Sequence, residues 1–231
     1  MDRGLYLAAS GMLAEQVRQD QIANDLANAS TAGYKAERTT QQSFGQMLLT
    51  NSVTGQQLGN VTTGVGVTNT VTDWKPQPLK DTGEPLDFAI NGDGFFAVRT
   101  AQGTRYTRNG QFSADAQNRL TTMQGDLVLG RDNQPLTLGA DGKVDPRQVN
   151  VVLLGNPEKE GDNYITGTPG TVAGQIPGQV RSGALEGSGA DPAQSMVDMM
   201  ASMRAYESGQ KVIQTIDETL GKAAGSVGSL Q

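Results

Sequence analysis

The densest group of potentially reactive side chains in this sequence is acidic: Asp81, Glu84, Asp87 and Asp93 fall in one short stretch. Paired carboxylates can do general acid–base work or hold a cation. The residues between them argue for a plainer role. Gly83, Pro85 and Gly92 mark turns, and carboxylates beside turns cap them or face water. The run Asp87 to Gly94 (DFAINGDG) fails as a calcium loop because Ala89 stands at a ligand position. Gly64-Val65-Gly66 opens like a dinucleotide-binding turn, but Asn69 occupies the third glycine position and no helical pattern follows, so it reads as a turn or bulge. Asn28-Ala29-Ser30 and Asn60-Val61-Thr62 match the glycosylation acceptor pattern, as such short motifs do by chance. The chain has no His and no Cys, which removes imidazole bases, thiolate nucleophiles and the usual metal ligands. The expectation is therefore no catalytic, cofactor-binding or metal-binding residues, and no enzyme.

Charge narrows the partners. Eighteen basic against 24 acidic residues give a net charge of -6 with no basic cluster, so neither nucleic acid nor an anionic membrane finds its electrostatic footprint. No small-molecule substrate is expected either. At 231 residues the chain is long enough to bury roughly 70% of its unfolded surface. No run reaches the ~18 apolar residues of a membrane span. Gly4 to Ala14 is uncharged like the core of a signal peptide, but Asp2 cancels Arg3 and Glu15 follows without a clear cleavage site. The segment reads as part of a mature helix.

What must position any functional surface is a middle unlike the two ends. Of the 30 glycines, 22 lie between Gly55 and Gly189, and all nine prolines lie between Pro76 and Pro192, leaving the ends free for long helices. Leu5, Ala9, Met12, Ile22, Leu26 and Ala29 recur at helical spacing, which predicts one amphipathic helix over 3–29 with Gly33 as its stop. Asp191, Pro192 and Gln194 form a helix start with a capping-box partner. Beyond it Met196, Met199, Met203, Tyr206, Gln210, Ile213, Leu220 and Ala224 follow heptad-like steps, interrupted at Asp217, which predicts a helix to about Ala224.

The middle alternates short β-type runs with turns, at 95–99, 105–108, 119–123, 126–130, 135–139 and 149–154. Asn91-Gly92, Asn109-Gly110 and Asp141-Gly142 supply turns able to take positive φ, and Gly103 serves the 99–105 hairpin. Residues 158–179, rich in Gly and Pro, read as a long loop or irregular edge. Residues 50–72 read as polar and extended.

The residues then resemble a known family. Ala23-Asn24-Asp25-Leu26-Ala27-Asn28-Ala29-Ser30-Thr31-Ala32-Gly33-Tyr34-Lys35 is similar to the opening of the bacterial flagellar basal-body rod and hook proteins. The middle, LDFAINGDGFFAV with YTRNGQFSAD and RLTTMQGDLVLG, resembles their central β-domain, and Arg204-Ala205-Tyr206-Glu207 with Ile216-Asp217-Glu218 resembles their last helix. Before that helix the family's E.SNVD reads Glu186-Gly187-Ser188-Gly189-Ala190-Asp191, a departure. The Met-Asp-Arg start leans toward the proximal-rod member; a distal-rod or hook member is the axial alternative.

The resemblance implies an α+β chain. Residues 1–35 and 190–231 form a coiled-coil-like helical axial domain for polymerisation, 36–72 an extended connecting segment, and 73–189 a mainly antiparallel β-domain. It implies a structural rod subunit in the periplasm, exported by the flagellar type III apparatus without a cleaved signal, whose partners are further copies and other rod or hook proteins. Leu5, Met12, Ile22, Leu26, Met196, Met199, Met203, Tyr206, Ile213 and Leu220 are the expected subunit-packing residues. The rival from a different class is a soluble β-domain binding module whose helices pair only within one chain.

Overall fold

The computed structural model describes residues 2–50, 57–161, 163–170 and 179–228. The chain divides into two units. The helical unit holds Met1–Leu26, Glu37–Val71 and Pro192–Gln231, and the β unit holds Ala27–Ala36 and Thr72–Asp191. This partition differs from that read off the sequence: most of the 36–72 segment joins the helices, and residues 27–36 and 190–191 join the β-domain.

The helical unit contains α1 (Asp2–Ala27), α2 (Pro192–Gly228) and a two-stranded sheet of β1 (Glu37–Thr50) and β2 (Gln57–Thr72). α1 is rich in Ala and Leu and ends two residues before the predicted limit, because Thr31 N–H and Oγ turn back onto Asn28 at 3.0 and 3.1 Å. α2 opens with Pro192 in the position where a missing N–H costs nothing. The Gln194 amide donates to Asp198 Oδ1 at 3.0 Å.

The helices meet antiparallel. A Cβ at Gly4 would lie 3.4 Å from Ile216, one at Gly209 would lie 2.7 Å from Met12 Cγ, and Ser202 Oγ donates to Glu15 Oε2 at 2.6 Å. The paired sheet rests on α1, with Val65 N–H donating to Ser10 Oγ at 3.3 Å and Gln41 Nε2 to Glu15 Oε1 at 3.0 Å.

The β unit continues with β3 (Leu79–Asp81), β4 (Phe88–Asn91), β5 (Phe95–Thr100), β6 (Gly103–Thr107), β7 (Phe112–Ala114), β8 (Leu120–Thr122), β9 (Leu127–Val128), β10 (Val151–Val152), β11 (Leu154–Glu160), β12 (Tyr164–Pro169), β13 (Gln179–Ser182) and β14 (Ala184–Glu186). An eight-stranded antiparallel sheet runs β11-β12-β6-β5-β9-β8-β7 with β10 also on β5, while β13 pairs β4 and β14 pairs β3.

β5 carries the core because both of its faces are covered. Phe96 and Val98 enter one apolar cluster with Phe88, Ile90, Phe112 and Leu120, and Phe95 and Ala97 enter the other with Tyr106, Leu129 and Ile165. That two-residue alternation with no polar face is why FFAVR stands out in the sequence.

One expectation is settled here and another changes. Of the two readings of 158–179, long loop or irregular edge, the second holds for its described first half: residues 154–160 and 164–169 form the edge pair β11 and β12, with a bulge between Gly155 and Glu158 that absorbs Pro157. An edge strand tolerates proline and needs apolar residues on one face only, so its signal is weak. Conversely, 135–139 makes only single bridges, Leu129 to Pro135 and Arg119 to Thr137.

Gly33 and Gly110 also act differently from the expectation. Gly33, at φ 67°, does not cap α1; a Cβ there would sit 2.3 Å from the Arg108 carbonyl. Gly110 has no positive φ, and its place is forced by close approach, since a Cβ would fall 1.6 Å from the Phe88 carbonyl oxygen.

Candidate assembly site

The expected packing residues divide between two faces of the helical unit. Met199, Tyr206 and Ile213 are half-buried along the side of α2 that also carries Ser195, Ser202, Gly209 and Ile216, a regular seam of alternating four- and three-residue steps. Met196, Met203 and Leu220 instead face outward, Met196 54% exposed, beside exposed Val197, Met200 and Val212. The seam keeps Met199, Tyr206 and Ile213 of the apolar stripe and takes Ser195, Ser202 and Gly209 in place of Met196, Met203 and Gln210. Its close points are Ser202 and Gly209, whose small size lets the helices approach, and a search for apolar side chains passes over both.

On α1, Met12, Ile22 and Leu26 are half-buried and Leu5 is exposed. Leu13, 64% exposed, and Tyr6 and Val17 line a groove of about 480 Å³ closed on its other side by Val65, Gly66 and Val67 of β2. The helical unit thus turns outward both an apolar groove and an apolar ridge.

The acidic stretch does not form a site. Asp81 makes an exposed ion pair with Arg181 at 2.7 Å, Glu84 and Asp93 are exposed, and Asp87 is buried at the β4 edge. Among the described residues no group of three or more potential metal-ligating side chains converges.

The β unit holds a buried ionic network instead. Glu186, 1% exposed, accepts from Lys35 Nζ at 2.8 Å and from the Gln77 N–H at 2.9 Å on Oε1, and from Arg108 Nη1 at 2.7 Å on Oε2. Lys35 also donates to the Lys75 carbonyl at 2.6 Å, and Arg108 Nη2 to the Gly92 carbonyl at 2.6 Å. Burial pulls the Lys35 ammonium below the usual lysine range, opposed by the charge of Glu186 and their hydrogen bond. Arg108 lies over the Phe95 ring, and Lys159 over that of buried Tyr34, 4.1 Å from its centre. In the sequence Lys35, Arg108 and Glu186 stand out only as letters of three separate motifs, with Arg108 also at the end of a strand run.

Comparison with known proteins places the chain among flagellar proteins. Residues 5–35 match the model for flagella basal body rod proteins, 89–153 that for the D1 domain of the flagellar hook protein FlgE/F/G, and 181–225 that for the C-terminal region of flagellar basal body rod FlgEFG proteins. Lys35, Arg108 and Glu186 each fall in a different one of these three segments. The chain is 30% identical to the flagellar hook-basal body complex protein FlhO of Bacillus subtilis over all of both chains. It is 32% identical to the flagellar basal-body rod protein FlgG of the same organism, covering 95% of this chain and 97% of that one. It is also 32% identical to the flagellar basal-body rod protein FlgF of Escherichia coli, covering 96% and 97%. With three ordered segment matches and similarity along its whole length, the chain belongs to the flagellar basal-body rod protein family.

Proposed function

We propose that this chain is a structural, non-enzymatic subunit of the flagellar rod, polymerised through its terminal helices and delivered by the flagellar type III apparatus. The observation that carries the reading is the helical unit's outward apolar surface: Tyr6, Leu13 and Val17 on α1 and Met196, Met200 and Met203 on α2. A ridge and a groove at different places on one molecule make head-to-tail contacts, which propagate as a filament when the rotation does not close. Leu5, Met12, Ile22, Leu26, Met196, Met199, Met203, Tyr206, Ile213 and Leu220 remain the packing residues of this proposal. The partners are further copies and other rod or hook proteins, and the location is the basal body in the periplasm.

The test is twofold. Purified protein should sediment as a growing species as its concentration rises, and in cells it should co-purify with basal bodies, its deletion abolishing motility. A protein that stays monomeric when concentrated and is absent from basal bodies would overturn the proposal.

A further inference from the structure

We infer that Glu186 is a clamp that couples the four passages of the chain between its two units, so that displacement of any one passage is felt by the others. The chain leaves or enters the β unit after Leu26, Ala36, Val71 and Asp191. Each passage has a stretch in the β unit, and those stretches are bonded to one another around this carboxylate.

The first and last are joined where Ser188 Oγ donates to the Asn28 carbonyl at 2.9 Å. The second is joined to the last by Gly33 N–H on the Glu186 carbonyl at 2.9 Å, Gly189 N–H on the Tyr34 carbonyl at 2.8 Å, and the Lys35–Glu186 pair. It is joined to the third by Asp73 N–H on the Ala36 carbonyl at 2.9 Å and by Lys35 on the Lys75 carbonyl. The third meets the last through Gln77 N–H on Glu186 and Gly187 N–H on the Pro78 carbonyl at 3.0 Å. Arg108 ties the same carboxylate to the sheet through the carbonyl of Gly92.

Such a network behaves as a unit because a buried charge that loses one partner cannot substitute water for it. A hydrophobic plug at this point would hold the passages together without making one depend on another. The clamp concerns this chain alone and stands whether or not the chain polymerises.

Hydrogen exchange of the purified full chain tests it. Lys35→Met removes one arm; the amides of Gly33, Asp73, Gly187 and Gly189 should then exchange at least about tenfold faster together, with Leu120, Leu129 and Leu136 in the sheet within about twofold of wild type. Acceleration confined to residues 34–36, or equal acceleration in the sheet, overturns the clamp. Gln77→Pro is the milder variant, since it deletes a single N–H to the carboxylate between Pro76 and Pro78. It should speed Gly33 and Gly189 about threefold. If Gln77→Pro leaves both unchanged, the clamp is wrong even where Lys35→Met fails to fold.

Discussion

The helical unit and the β unit bury their apolar residues to different degrees. Of the buried apolar residues among those described, Ala14 is the one in the helical unit; the rest, from Tyr34 to Ala190, belong to the β unit. The β unit satisfies itself with two apolar clusters and the Glu186 network. The helical unit has a seam of half-buried residues and leaves Leu13, Met196 and Met203 in water. At roughly 25 cal/mol per Å² of apolar surface, such faces represent binding free energy still unused within one chain. One unit is finished by folding; in the proposed rod the other is finished by association.

The sharpest way to break this contrast is Glu186→Ala. It leaves Lys35 and Arg108 buried without their anion and should cost the β unit about 3–5 kcal/mol. Trp74, the chain's one tryptophan, packs edge-on to Phe95 with ring centres 5.8 Å apart, so its fluorescence during denaturant unfolding reports that unit. A loss below about 1 kcal/mol would remove the ionic network from the account of the β unit's stability.

The seam is tested by two glycines of α2. Gly209→Leu must displace Met12 and should weaken helix pairing by on the order of 1–3 kcal/mol. Gly221→Ala has open space around its Cβ and should stabilise α2 by about 1 kcal/mol through helix propensity. Thermal loss of helical circular dichroism reads both, and equal effects of the two would mean that the helices do not pack at Gly209.

Lys35 gives a pH test. Its folded pKa lies below the unfolded value of 10.5, so the unfolded chain holds that proton more tightly. Its contribution to stability therefore rises as pH climbs toward 10.5 and levels off above it. Tyr106 and Tyr164, both raised by burial, act in the opposite sense above pH 10. The difference between wild type and Lys35→Met isolates the lysine; a difference independent of pH would contradict its burial as a charged group.

The smallest expected change in stability belongs to Met200→Asp on the outward ridge. Both unfolding transitions should stay within about 0.5 kcal/mol of wild type. Concentration-dependent sedimentation should nevertheless disappear. Continued association would move the assembly surface away from this ridge.

Legibility in the sequence followed the strength of local signals. Both helices and the strands around FFAVR are readable because long periodic or doubly buried runs mark them. β11 and β12 are legible only as an irregular edge or loop, because of Pro157 and because they have one core face. Alternate positions of the α2 seam are missed because Ser202 and Gly209 work by being small, while Met199, Tyr206 and Ile213 are read correctly as members of one stripe. The Glu186 network is invisible locally, since Arg108 and Lys35 stand 78 and 151 positions away from it.

The seam between α1 and α2 also sets an order of events. Ser202 and Glu15 are 187 positions apart, so whichever way the chain emerges amino end first, α1 is free long before its partner exists. Closing so long a loop is entropically costly, but a folded β unit between the helices shortens the effective loop. Helix pairing is thus expected as the last step of folding, and until it occurs the seam faces of both helices lack their partner within the chain.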